Sequence, residues 1–240
     1  MGTTRLSVNI NKVALIRNAR GGSKPNLIQF AKDCERFGAQ GITVHPRPDE
    51  RHIRFDDLPA LREVVTTEFN IEGYPNKRFI DAVCKVKPHQ VTLVPDPPGV
   101  LTSSEGWDAT KHKTLLQEVI SEFQNFGIRV SIFLEANEND VEAAALTGTD
   151  RIEFYTGKYA AHYYADRESA VANHITAAKR AQKLNLGINA GHDLDLDNLN
   201  FYVNRVSALL EVSIGHALIS DALYFGIQNT ISMYKQKLHN

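Results

Sequence analysis

The chain has 240 residues and a mass of 26.8 kDa, enough to bury roughly 70% of its unfolded surface if it folds as one unit. Hydrophobic residues at 42% and charged residues at 23% exclude a disordered or fibrous chain. Lys+Arg 27 against Asp+Glu 28 leaves a formal charge of −1, so no global positive field draws the chain to nucleic acid or an anionic membrane, and any anion must be caught locally. The N-terminus Met-Gly-Thr-Thr-Arg-Leu-Ser has no apolar core of a signal peptide, and Leu6 stands where a myristoylation signal needs Ser or Thr. With no run of about 18 apolar residues, a cytoplasmic protein is expected. Cys34 and Cys84 fall in amphipathic segments without zinc-finger spacing, which reads as small buried hydrophobes in a reducing compartment.

Short β-branched runs alternate with segments of helical period along the chain. Leu6–Ile10 is the first strand candidate. Leu27, Phe30, Ala31, Cys34 and Phe37 then follow helical spacing up to Gly38, and Gly41–His45 is the second strand. Asn70–Glu72, helix Lys77–Val86 and strand Gln90–Pro95 come next. Residues Pro95–Gly99 and Thr102–Asp108 form a long loop-like stretch that reads as a lid. Leu115, Leu116, Val119, Ile120, Phe123 and Phe126 mark a helix ending at Gly127, before the nearly continuously apolar strand Arg129–Ala136. Helix Asn139–Leu146, ending at Gly148, strand Arg151–Tyr155, helix Glu168–Leu184, strand Gly187–Ala190, helix Asp197–Val206, strand Glu211–His216 and helix Asp221–Leu238 complete the order. Eight βα units spaced by about 30 residues fit a single-domain α/β fold, a closed (β/α)8 TIM barrel spanning 1–240. A doubly wound sheet is the alternative, but Val8-Asn-Ile-Asn-Lys12 stands where a glycine-rich dinucleotide loop would follow the first strand.

A barrel of this kind builds its active site at the C-terminal strand ends. There the sequence delivers Asn9, Asn11 and Lys12 after strand one, His45 and Arg47 after strand two, Glu72 after strand three and Glu135 after strand five. Strand six adds Glu153 and Thr156, strand seven Asn189 and His192, and strand eight Gly215 and His216. His45, Glu72 and His192 around one cavity suit proton-transfer chemistry. The glycines of Asn189-Ala-Gly-His192 and Ser213-Ile-Gly-His-Ala217 lie where barrels hold a phosphate on backbone N–H groups. Arg17, Arg20, Gly21 and Gly22 after strand one, with Arg47, Arg51 and His52 after strand two, form a second cationic cluster; for Arg17 and Arg51 a solvated loop is the competing reading. No metal site is expected, because His45-Pro-Arg47 lacks the His-x-His pattern. Lys12 or Lys158 forming a Schiff base with a carbonyl substrate, as in a lyase or aldolase, and a non-catalytic barrel that binds phosphometabolites are the alternatives to acid/base catalysis.

At these residues the sequence resembles a known family. Val8-Asn-Ile with Arg17-Asn-Ala-Arg-Gly21, Gly41-Ile-Thr-Val-His-Pro-Arg47 with Arg51-His-Ile53, Asn189-Ala-Gly-His192 and Ile214-Gly-His216 resemble the pyridoxine 5′-phosphate synthase family over essentially the whole chain. The resemblance implies a (β/α)8 barrel assembled as a homo-octamer. It implies a transferase of vitamin B6 biosynthesis that condenses 1-deoxy-D-xylulose 5-phosphate with 3-amino-2-oxopropyl phosphate, without a cofactor. It makes His45 and Glu72 proton acceptors, His192 the proton donor and Glu153 a residue that stabilises the transition state. Asn9, Arg20, Gly215 and His216 match positions that bind the amino-ketone phosphate, and Arg47, His52 and Thr102 those that bind the deoxyxylulose phosphate. The chain departs from the family pattern at Asn11-Lys12, where Asp-His is usual, and at Asp193, where Gly is usual; all three are expected to touch substrate.

Overall fold

The structure, a computed structural model, describes residues 4–96 and 105–239. Strands β1 (Arg5–Asn9), β2 (Gly41–Val44), β3 (Glu68–Gly73), β4 (Gln90–Leu93), β5 (Arg129–Leu134), β6 (Arg151–Tyr155), β7 (Gly187–Gly191) and β8 (Leu209–Ile214) pair in parallel in chain order. β8 closes on β1 with Ser7 opposite Ser213, so the sheet is a closed barrel and the expected (β/α)8 architecture is the one found. Around it run helices α1 (Asn11–Ala19), α2 (Leu27–Arg36), α3 (Asp57–Val64), α4 (Lys77–Val86), α5 (Lys113–Asn125), α6 (Glu138–Ala145), α7 (Gly157–Lys183), α8 (Leu199–Arg205), α9 (His216–Phe225) and α10 (Ile227–Leu238). Asparagine side chains cap three of them, Asn26 on α2, Asn76 on α4 and Asn137 on α6, each accepting a backbone N–H three residues on. Gly38, Gly127 and Gly148 follow their helices with positive φ, as expected for helix-terminating positions.

Strand alternation sorts the barrel into two surfaces. Leu6, Val8, Ile42, Val44, Phe69, Ile71, Val91, Leu93, Val130, Ile132, Ile152 and Phe154 are all buried and join the core under the helices. The alternate positions include the buried polar Ser7, Thr43, Asn70, Thr92, Ser131, Glu153 and Asn189, with Phe133 as an apolar member. Ser7 and Thr43 hydroxyls lie 2.8 Å apart, Asn70 Nδ2 donates to Thr43 Oγ1 at 3.4 Å, and Thr92 Oγ1 donates to Asn70 Oδ1 at 3.1 Å. The interior of a TIM barrel is commonly filled by branched apolar side chains; here a hydrogen-bonded polar column takes their place. At the N-terminal ends of the strands, Glu68 is ion-paired with Arg5 at 3.0 Å, with Arg129 and with Arg151 at 3.7 Å, tying four strands together.

Several local expectations are corrected. The stretch after β1 is helix α1 rather than loop, and α3 was not expected at all. Pro59 sits in the first turn of α3, where its missing N–H costs nothing. β3 begins at Glu68, because the arginines around that carboxylate make its burial tolerable. α7 begins at Gly157, eleven residues before the expected helix, and kinks at Asp166. Its first part carries three tyrosines: Tyr159 is buried with its hydroxyl donating to Asn198 O at 2.7 Å, Tyr163 donates to Asp197 O at 3.1 Å, and the exposed Tyr164 donates to Asp197 Oδ2 at 2.9 Å. The single C-terminal helix is two, α9 and α10, broken at Gly226 with φ 74°. Of the expected lid, residues 97–104 lie outside the described residues; Trp107 is packed in the core, stacked on Tyr74.

Arg17 is not part of an anion site. Its guanidinium grips Asp57 through two bonds of 2.7 and 2.9 Å and donates to His52 O at 3.1 Å, which ties α1 to α3 and to the loop that carries His52. Both side chains are largely buried, so removing one partner strands a charge. Asp57→Ala is expected to cost about 3 kcal/mol in urea unfolding; a loss under about 0.5 kcal/mol, the size of an exposed pair, would contradict this role.

Candidate active site

The C-terminal strand ends surround a cavity of about 630 Å³. β1 and the first five residues of α1 contribute Asn9, Asn11, Lys12 and Leu15; β2 and its loop contribute His45, Arg47, Arg51 and His52. Glu72, Phe133 and Glu153 stand on β3, β5 and β6, Val94 just after β4, His192 and Asp193 just after β7, Ser213 on β8, and Gly215 and His216 at the start of α9. Glu135, Thr156 and Asn189 lie off the lining, whereas the residues that the family resemblance assigns to catalysis or substrate binding are brought together except two. Arg20 is exposed at the C-cap of α1, off the cavity lining, and Thr102 lies outside the described residues. Leu15, Val94, Phe133 and Ser213 line the cavity without having been singled out. Ser213 was legible in the Ser-Ile-Gly-His run, whereas Leu15 requires knowing that α1 is a helix, one turn of which carries it above Asn11 and Lys12.

At the cavity base three acid/base groups are buried together. His45 Nδ1 is 4.0 Å from Glu72 Oε2, which Asn9 Nδ2 reaches at 3.5 Å. Glu153 accepts a long hydrogen bond from Thr92 Oγ1 at 3.5 Å. Gly191 makes room for it, since a Cβ added there would lie 2.4 Å from Glu153 Oε1. Burial pushes Glu72 up to about 8; the negative charges of Asp96 and Glu211 add to this and Arg47 opposes it. Glu153 is pushed well above the usual carboxylate range by burial and then by Glu72. His45 goes the other way, its pKa lowered well below the ordinary value by burial, then by Arg47 and His52. At neutral pH the cluster thus holds a neutral imidazole acceptor and carboxyl groups that keep transferable protons.

The rim is arranged differently. Asn9 Oδ1 accepts the Asn11 N–H at 3.1 Å at the start of α1, and Asn11 Oδ1 accepts the His45 N–H at 2.9 Å, so Asn11 braces the end of β2. Arg47 is buried with its guanidinium 2.7 Å from Asp96. His52 Nδ1 accepts the Ile53 N–H at 2.9 Å, and burial, with Arg47 and Arg51, lowers its pKa to about 4. Its ring is therefore neutral, with Nε2–H left as a donor. Gly215 is the N-cap of α9, whose first-turn N–H groups form an anion-binding end. A Cβ added at Gly215 would sit 3.1 Å from Asn9 Cβ, so the glycine lets β1 and the α9 terminus approach. Lys158 is paired with Glu135 at 3.1 Å, off the cavity lining. Among the described residues no group of three or more His, Cys, Asp or Glu is placed to hold a metal ion, and no helix is long and apolar enough to cross a membrane.

Fold and site together define a (β/α)8-barrel enzyme with buried acid/base groups at the strand ends. Solved structures agree on the fold: 3-keto-L-gulonate-6-phosphate decarboxylase from Vibrio cholerae is similar with a TM-score of 0.67 at 8% identity, covering 99% of this chain and 98% of that one. Phosphoribosyl anthranilate isomerase from Thermotoga maritima is similar with a TM-score of 0.59 at 13% identity, covering 98% of each. The family model described as pyridoxal phosphate biosynthesis protein PdxJ matches residues 6–240. Curated relatives called pyridoxine 5′-phosphate synthase are 58% identical in Parabacteroides distasonis, over 99% of this chain and 100% of the relative, and 56% identical in Flavobacterium johnsoniae, over 98% and 99%. The chain belongs to this PdxJ family and is an enzyme of vitamin B6 biosynthesis.

The raised pKa of Glu72 has a stability signature. The folded chain keeps the Glu72 proton up to about pH 8, whereas the unfolded chain loses it near the ordinary 4.5. Between those values the unfolded state binds fewer protons, so the fold loses stability as pH rises. Glu72→Gln, which has nothing to titrate, is expected to gain on the wild type by an amount on the order of 3 kcal/mol between about pH 5 and about pH 8.5 in urea unfolding. An unchanged difference between the two proteins at both pH values would contradict the shift.

Proposed function

We propose that the enzyme condenses 1-deoxy-D-xylulose 5-phosphate with 3-amino-2-oxopropyl phosphate, closing the pyridine ring of pyridoxine 5′-phosphate and releasing phosphate and water. The observation that carries this reading is the convergence of His45, Glu72, Glu153 and His192 on one cavity flanked by two kinds of anion-binding group. In this reading Asn9, Gly215, His216 and the α9 terminus hold the amino-ketone phosphate, with Arg20 supplied by the family resemblance alone. Arg47 and His52 hold the deoxyxylulose phosphate, with Thr102 likewise supplied by resemblance. Asn11, Lys12 and Asp193 complete the lining.

The chemistry asks for a base that takes a proton from the substrate ammonium, so that the amine attacks the sugar ketone. An ordinary carboxylate is too weak for that, and Glu72, pushed up to about 8, is the stronger base, acting from the ionised fraction that grows as the pH approaches that value. His45, neutral and beside Glu72, accepts protons in the later eliminations. His192 gives the proton with which the carbinolamine loses water. Glu153 keeps its own proton and donates a hydrogen bond to charge developing on oxygen in the transition state. Every step is proton transfer, elimination or addition, so the reading requires no cofactor. We place the enzyme in the cytoplasm as a homo-octamer. Leu223, Tyr224 and Phe225, exposed together on α9, offer an apolar surface suited to a subunit contact.

The test is turnover of both phosphorylated substrates by purified protein. Wild type is expected to form the pyridoxine chromophore with release of phosphate, and His45→Asn to be slower by about 100-fold or more. Below about pH 8, kcat/KM should fall with acidity as Glu72 is protonated, with no step near the low pKa of His52. Trapping of a protein adduct by borohydride, or saturable binding of both substrates without product, would overturn the reading in favour of Schiff-base or binding-only function.

A further inference from the structure

His192 and Asp193 both have left-handed backbone, with φ 87° and 55°. Consecutive non-glycine residues in this region are strained and persist only where surrounding contacts over-determine them. Those contacts are present. Thr156, fully buried, donates through its N–H and Oγ1 to Gly191 O at 3.0 and 2.7 Å, and its hydroxyl also bonds His192 O. Asn198 Nδ2 donates to Asp193 O at 3.1 Å, while Asn198 is itself fixed by Asp195 Oδ1 on its N–H and by the Tyr159 hydroxyl on its carbonyl.

A glycine would occupy φ 55° without strain. What the aspartate adds is a carboxylate: its Oδ2 lies 2.8 Å from His192 Nδ1, while the ring meets Tyr155 edge-on at 5.1 Å between centroids. The hydrogen bond to His192 holds the Asp193 carboxyl below the usual carboxylate range, with the nearby His216 acting in the same direction. An ionised carboxylate only accepts, so the Nδ1 beside it carries a hydrogen.

We propose that Asp193 is a positioning residue for His192, whose carboxylate fixes the Nδ1–H form of the imidazole so that the proton exchanged with substrate sits on Nε2. The inference rests on the reading of His192 as proton donor. The imidazolium gives its Nε2 proton to the departing hydroxyl, the electron pair of that N–H bond stays on Nε2, and the Nδ1 proton remains between ring and carboxylate. The product is a neutral ring in one tautomer, ready to take the next proton on the same atom. A free neutral imidazole favours the opposite tautomer, so without the carboxylate the transferable proton is misplaced.

The experiment combines ¹⁵N NMR of the imidazoles, assigned by subtraction with His192→Asn, with steady-state kinetics of Asp193→Asn and Asp193→Gly. Neutral His192 is expected as the Nδ1–H tautomer in wild type and predominantly as Nε2–H in both Asp193 variants. Each variant should lose about tenfold in kcat with KM within about twofold. Thermal unfolding should be unchanged for Asp193→Asn and raised for Asp193→Gly, which separates the catalytic loss from folding. An unchanged tautomer, an unchanged kcat, or a rise in KM alone, the mark of a direct substrate contact, overturns the inference. His192→Asn with full kcat overturns the donor reading and this inference with it. Loss of activity in His192→Asn beside full activity in both Asp193 variants overturns this inference alone.

Discussion

Desolvation of carboxyl groups inside the barrel is the constraint on which the site depends. A buried carboxylate must find a cation, gather hydrogen bonds or keep its proton, and this barrel uses two of those outcomes at its two ends. At the N-terminal ends of the strands Glu68 is surrounded by Arg5, Arg129 and Arg151, and the result is structural. At the other end Glu72 and Glu153 share a cavity in which Arg47 only partly offsets burial, and the result is two acids held in the wrong charge state for water. The polar column of Ser7, Thr43, Asn70 and Thr92 joins the two ends. Its hydrogen bonds keep the interior packed without presenting a charge that would neutralise the carboxyls above it.

The rim depends on a different force. The loop carrying Arg47, Arg51 and His52 leaves the barrel wall and would be free to splay, but the Arg17–Asp57 clasp and Asn18 Nδ2, which reaches His52 O at 2.7 Å, tie it to α1. Asn11 ties the end of β2 to the same helix. α1 therefore serves as a bracket between the first two strand ends, and it also brings Lys12 and Leu15 to the cavity.

Much of this was legible in the sequence. The eight strands follow from β-branched runs at regular spacing, and the polar residues at their ends gave most of the cavity lining. What escaped was set by partners distant in the chain. α1 and α3 were missed because a buried Arg17 and Asp57 break the apolar pattern of each helix, and the two charges make sense only as a pair. The start of α7 escaped because the partners of its tyrosines, Asp197 and the carbonyl of Asn198, lie more than 30 residues away. The sequence also showed Glu72 and Glu153 as ordinary strand-end acids; their retained protons depend on burial and on each other's charge, which no local pattern encodes. The positive φ of Asp193 and its hydrogen bond to the preceding ring are likewise not visible in a residue name.

The most direct test of the account is a titration of Glu72 itself, by ¹³C NMR of side-chain carboxyls in the resting enzyme, with Glu72→Gln to assign the signal. Glu72, buried as it is, is expected to change state near pH 8. A signal that titrates near 4.5, the ordinary value, would mean that the cavity solvates its acids, and the buried acid/base cluster would no longer explain the chemistry.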